Sequence, residues 1–172
     1  MNFRHVSTRV AFAAGALACA LLLGFSYYLQ YGRGLEPCPL CLVQRGFFYA
    51  VMAVFVLGAL HAPRRVGTVV YGVLAFLFAL GGAAVAGRQV WLQHLPPDKV
   101  PQCGPDLFFM LENFPLAQTL KKLFTGTGEC AAVDWSFLGL SIAGWSLAWL
   151  AAFCAYAAWL AIRAIRSPTP AS

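Results

Sequence analysis

The stretch Cys38-Pro39-Leu40-Cys41 is where the chain concentrates reactive side chains. Proline is favoured at the first position of a helix, where its missing N–H is no loss. The motif therefore predicts a helix with Cys38 at the N-cap and Cys41 about one turn in. The positive end of the helix dipole favours a thiolate there, and C-x-x-C thiols have lowered pKa values for such reasons. Arg45 follows Cys41 by four residues, on the same helix face. A cation that deep in an apolar helix is costly and generally functional, although a long side chain can also snorkel to lipid phosphates. Two further cysteines, Cys103 and Cys130, bracket most of a long connection. The segment Thr125-Gly126-Thr127-Gly128-Glu129 before Cys130 carries two glycines in five residues, a flexible arm. Such an arm suits thiol–disulfide exchange, which proceeds through mixed disulfides.

Other uses of these sulfurs have to be weighed. A static disulfide suits Cys103 and Cys130 better than the strained two-residue ring of Cys38 and Cys41. A four-thiolate zinc site is usually built from two close pairs, whereas Cys103 and Cys130 lie 27 positions apart, so no metal is expected. Four cysteines allow three pairings, which the sequence leaves open. The remaining two, Cys19 and Cys154, fall in the middle of predicted helices and read as small apolar filler.

The elements that must position this chemistry follow from composition. Of 172 residues, 60% are apolar and 10% charged, against about 45–50% and about 25% in soluble domains. The mean hydropathy is +0.71. Disorder is excluded by that hydrophobicity. Nucleic-acid binding is not expected despite a net charge of +6, because the basic residues are scattered between apolar runs. Charges are absent from residues 10–32, 46–63, 66–87 and 135–162. A helix rises about 1.5 Å per residue, so roughly 20 residues cross the hydrocarbon. The runs are continuous and rich in Ala, Leu and Gly, unlike the alternation of barrel strands. The expected fold is all-α, an integral membrane four-helix bundle formed by residues 1–172 as one domain. Its helices are expected near 10–28, 40–60, 66–89 and 137–162. The first run is too long for a signal-peptide core and is expected to remain as an anchor.

Two loops, near 29–39 and 90–136, are expected to share one side of the membrane. The longer carries Leu107, Leu111 and Phe114, then Leu116, Leu120 and Leu123 beside Lys121 and Lys122. Their spacing predicts a short amphipathic helix lying on the lipid surface. The other side carries Arg4, Arg9, Arg64, Arg65, Arg163 and Arg166; the loop side carries Arg33, Arg45, Arg88, Lys99, Lys121 and Lys122, so the count does not decide. The very short, purely basic flanks of the first set favour that side as cytoplasmic, together with both termini. Cys38, Cys41, Cys103 and Cys130 all fall on the opposite side; if that side is extracytoplasmic, it is also where disulfides persist.

Taken together, Cys38-Pro39-Leu40-Cys41 through Arg45, the distant Cys103, Gly128-Glu129-Cys130, and Trp135-Ser136-Phe137-Leu138-Gly139-Leu140 resemble the disulfide bond formation protein B (DsbB) family over nearly the whole chain. The resemblance implies a thiol:quinone oxidoreductase of the bacterial inner membrane that reoxidises a periplasmic DsbA-like thioredoxin-fold protein. It implies that the partner attacks Cys103, with Cys130 its mate. Electrons would then pass to Cys38 and Cys41 and on to a membrane quinone, ubiquinone or menaquinone. Cys41 would lie nearest the quinone, Arg45 would stabilise the thiolate–quinone pair, and His94 sits near the family's quinone-proximal histidine. Where the family often has Glu before the arginine, this chain has Gln44. Two rivals remain. One is a reductase resembling the vitamin K epoxide reductase family, in which the C-x-x-C usually lies near the last helix. The other is a non-enzymatic membrane protein with structural disulfides.

Overall fold

The structure, a computed structural model, describes residues 3–99, 112, 114, 115, 118, 128–133 and 135–166. Cys103 lies outside the described residues. So does the expected amphipathic loop helix, apart from four isolated positions. Among the described residues the elements run as follows. Helix α1 (Phe3–Tyr27) passes into a π-helical turn, Tyr28–Gly32. Helices α2 (Pro39–His61) and α3 (Arg65–Gln93) follow. A short helix α4 (Gly128–Ala131) leads to strands β1 (Ser136–Phe137) and β2 (Leu140–Ser141), and helix α5 (Ile142–Arg166) ends the order. Four of these helices, the first with its π turn, are long and apolar enough to cross a membrane. The architecture is an all-α four-helix membrane bundle.

Local sequence explains the helix ends. Pro39 opens α2 at its first turn and Cys38 caps it from an extended backbone. The hairpin between α2 and α3 closes on Ala62, which adopts a left-handed conformation with φ 42°. Ser141 caps α5, its hydroxyl accepting from the N–H of Gly144 at 3.2 Å. Helix α5 starts later than the charge-free run alone suggested. Residues 136–141 form an antiparallel hairpin, with Ser136 opposite Ser141 and Phe137 opposite Leu140. Its two turn residues, Leu138 and Gly139, both have positive φ, as a tight two-residue turn requires. Helix α3 in turn runs past Arg88 to Gln93, because a charged residue near a membrane boundary does not end a helix.

Helix α3 packs most extensively on α5 and then on α2, which also covers α1. The core is aromatic on one side and glycine-bearing on the other. Phe55 packs against Phe12, Phe153 and Tyr156, with ring centroids 6.0–6.2 Å apart. In lipid such packing, more than hydrophobic burial, holds helices together, and small residues let them approach. At Gly72 an added methyl would sit 3.0 Å from the Ala161 Cβ and 3.1 Å from the Ala157 carbonyl of α5. The backbone there cannot yield cheaply. At one end of the bundle arginines close the helix ends: Arg9 donates to the carbonyl of Leu60 at 3.3 Å, and Arg65 to that of Ile165 at 2.5 Å.

Gly72→Val should therefore lower the thermal unfolding midpoint in detergent, by an overpacking penalty of about 1–3 kcal/mol. Gly87→Ala, with open space at that position, should leave the midpoint unchanged or higher. Equal midpoints for Gly72→Val and the parent would contradict the close α3–α5 contact.

Candidate functional site

The site lies at the end of the bundle opposite the arginine cluster. Helix α2 presents Cys38 and Cys41 on one turn, their sulfurs 3.0 Å apart. That is longer than the roughly 2.05 Å of a disulfide bond, so the two are in contact but not bonded to each other. The Cys38 sulfur also accepts from the backbone N–H of Cys41 at 3.4 Å, which satisfies one of the open donors at the helix start.

Cys130 arrives from α4, which packs on α3 and α2. It is fully buried and clusters with Leu40, Val85 and Leu92, against which Cys38 and Ala131 also pack. Its side chain hydrogen-bonds to Cys38. The loop cysteine and the first cysteine of the C-x-x-C are thus in direct contact. A hydrogen bond to Cys130, a second to Cys41 and burial together push the Cys38 thiol well above its usual range.

On the other face of the dithiol opens a cavity of about 1020 Å³. Cys38, Cys41, Arg45, Gln44 and Gln89 line it, and Phe25, Trp135, Phe137, Trp145 and Trp149 supply aromatic rings. The β hairpin stands at this cavity, held to α3 by a hydrogen bond from Ser141 to Gln93 at 2.6 Å and to α5 by Trp145 Nε1 donating to the Phe137 carbonyl at 3.0 Å. Arg45 reaches across to α1. It donates to the Ser26 hydroxyl at 2.8 Å, to Gln30 Oε1 at 2.5 Å and to the Ser26 carbonyl at 3.3 Å, and its guanidinium lies 4.9 Å from the centre of the Tyr27 ring. These partners are neutral, so the site retains a cation. The π turn that follows Tyr27 contributes Gln30, in keeping with the occurrence of such turns at functional sites.

Residues 8–160 match the family described as Disulfide bond formation protein DsbB. The Disulfide bond formation protein B of Hahella chejuensis is 53% identical over 152 residues, covering 88% of this chain and 90% of the relative. That of Methylococcus capsulatus is 52% identical over 141 residues, 82% of this chain and 86% of the relative. That of Xanthomonas axonopodis pv. citri is 44% identical over 168 residues, 97% and 98%. The chain belongs to the DsbB family. It is a multi-pass membrane oxidoreductase of disulfide bond formation.

For this DsbB-family chain the structure brings Cys38, Cys41, Cys130 and Arg45 to one place. His94 stands apart: it is exposed at the end of α3, its Nδ1 lies 2.7 Å from the Val90 carbonyl, and it is not among the cavity-lining residues. Sequence reasoning missed Gln89. Its amide nitrogen lies 3.2 Å from the Cys38 sulfur and 3.3 Å from the Cys41 sulfur, and its oxygen accepts from Gln44 Nε2 at 2.6 Å. The available signal was a polar side chain two positions past a charge-free apolar run, next to Arg88, with Val85 and Leu92 on the same face.

The raised Cys38 pKa sets a pH dependence. A group with a raised thiol pKa stays protonated through neutral pH, so reduced Cys38 should react slowly with iodoacetamide at pH 8 and speed up only as pH rises further. Cys130→Ala removes the largest cause of that shift. The pH midpoint of Cys38 alkylation, followed by peptide mapping, should then move down. An unmoved midpoint would show that Cys130 does not act on Cys38.

Proposed function

We propose that the protein reoxidises a soluble, DsbA-like thioredoxin-fold dithiol protein at the periplasmic face of the bacterial inner membrane and passes two electrons to a membrane quinone. The observation that carries this reading is the position of Cys38. On one side it touches Cys130 of the loop. On the other it shares a helix turn with Cys41 at the cavity wall. A dithiol placed between a loop thiol and a large, aromatic-walled cavity can exchange with both.

The exchange steps balance. A partner thiolate attacks Cys103 of a Cys103–Cys130 disulfide, forming a mixed disulfide and releasing Cys130 as thiolate. Cys130 attacks Cys38 of a Cys38–Cys41 disulfide, and Cys41 leaves as thiolate at the cavity. The second partner thiol displaces Cys103 and leaves the partner oxidised. The thiolate of Cys103 then displaces Cys38 from Cys130, which restores the loop disulfide and leaves Cys38 and Cys41 reduced. The residues present suit a quinone: aromatic rings for a flat apolar head, a cation for its oxygens, and many apolar side chains in the lining. A bound quinone would supply the two-electron, two-proton sink that returns Cys38 and Cys41 to a disulfide. The chain's own part is to hold Cys41 at the cavity wall and to keep Arg45 there through Ser26 and Gln30.

In this reading the end of the bundle away from the dithiol, where Arg9 and Arg65 bond to the carbonyls of Leu60 and Ile165, is cytoplasmic, and so are both termini; the support is the short, acid-free basic flanks on that side.

Purified protein given a soluble quinone and a reduced thioredoxin-fold dithiol should bleach the quinone absorbance, and Cys41→Ser should reduce turnover to background. Turnover that survives Cys41→Ser would favour an inert, structural C-x-x-C. Arg45→Met should raise KM for quinone about tenfold, as loss of one charge-assisted hydrogen bond does, and leave KM for the dithiol partner in place. An equal rise in both would contradict a cavity-specific role for Arg45.

A further inference from the structure

We propose that Gln89 and Gln44 form a neutral amide relay that sets the redox poise of the Cys38–Cys41 dithiol, Gln89 donating to the reacting sulfurs and Gln44 fixing the direction in which it donates. The proposal rests on the functional reading above and adds to it the groups that make the C-x-x-C an effective electron acceptor.

Both glutamines are almost wholly buried, Gln44 at 2% exposure and Gln89 at 3%. They face each other from α2 and α3 within membrane-spanning helices. A primary amide buried in that setting is costly unless it is hydrogen-bonded. Here each has a partner: among the described residues no buried side-chain nitrogen or oxygen is left unpaired. The pairing is directional. A glutamine amide has an acceptor at one end and two donors at the other. Gln44 Nε2 donates to Gln89 Oε1 at 2.6 Å, with the Cys41 thiol a second, longer donor to that oxygen at 3.6 Å; the Gln89 NH2 group lies closer to the sulfurs, 3.2 Å from Cys38 and 3.3 Å from Cys41.

Arg45 does not take this role, because its hydrogen bonds run to Ser26 and Gln30 on α1. Apart from the neighbouring thiols, the donors to the two sulfurs among the described residues are the Gln89 amide and the backbone N–H of Cys41. A donor to sulfur strengthens when the sulfur carries charge. It thus stabilises the reduced, partly ionised dithiol over the disulfide, which has no charge to solvate. Stabilising the reduced form makes a disulfide a stronger oxidant. An amide does this without adding a charge to the apolar cavity wall. Gln89 touches the reacting atoms. Gln44 acts only through Gln89 and is a positioning residue.

The test is an equilibrium measurement on the full chain in detergent, under anaerobic conditions, with neither added quinone nor partner. The protein is equilibrated with a series of reduced and oxidised glutathione ratios. The Cys38–Cys41 disulfide plus two glutathiones goes to the dithiol plus oxidised glutathione. Alkylation and peptide mass mapping read the state of that one peptide. Gln89→Met, apolar and of similar size, should shift the equilibrium about tenfold toward the disulfide, which is about 30 mV. Gln44→Met should shift it in the same direction by a few-fold. The double variant should match Gln89→Met alone, because Gln44 has no route to the sulfurs except Gln89. Single variants within twofold of the parent would overturn the proposal. A double variant whose shift is the sum of the two would overturn the relay. If Gln89→Met fails to fold, Gln44→Met carries the decision by itself. Shifts intact with no quinone turnover would sink the functional reading alone, and turnover intact with no shifts would sink the relay alone.

Discussion

A helix leaves its first backbone N–H groups without partners inside the helix, and in this protein the Cys38 sulfur answers one of them. Pro39 removes a second by having no N–H. The same sulfur meets the Cys41 sulfur, the Gln89 amide and Cys130. A residue that caps a helix cannot move far without unravelling its first turn. The cap thus fixes where the dithiol stands, and the loop thiol, the buried amides and the cavity are arranged around that fixed point.

The arrangement also separates two environments. Cys130 reaches Cys38 from a packed cluster of Leu40, Val85 and Leu92, while Cys41 faces the cavity beside Arg45. Charge is handled differently on the two sides. On the Cys130 side the sulfur contacts hold Cys38 as a thiol. On the cavity side the guanidinium and the Gln89 donors favour negative charge. A leaving thiolate is thereby directed to Cys41, because thiol exchange favours departure of the sulfur on which charge is better stabilised.

Much of this was legible in the sequence. Four charge-free runs announced the four membrane helices, and Cys-Pro-Leu-Cys announced a helix start. Arg45 was legible as well, because a lone cation after a C-x-x-C is expensive in lipid. What escaped were features that depend on pairing between helices. Gln89 next to Arg88 reads as the polar end of a span, and only the rotation of α3 against α2 turns it inward to meet Gln44. Arg45 gave no sign of its partners, since Ser26 and Gln30 owe their positions to the end of α1 and its π turn. The Ser136–Ser141 hairpin hid inside an apolar run because its two strands are too short to show alternation, and its turn was marked only by Gly139.

The central claim is that the loop thiol and the C-x-x-C form one continuous path through Cys38. The most direct measurement uses the full chain carrying Cys41→Ser and Cys103→Ser, which leaves Cys38 and Cys130 without their other proposed partners. After mild oxidation and non-reducing peptide mass mapping, the account predicts a peptide in which Cys38 is joined to Cys130. Recovery of both residues as alkylatable thiols under conditions that oxidise the parent would contradict it.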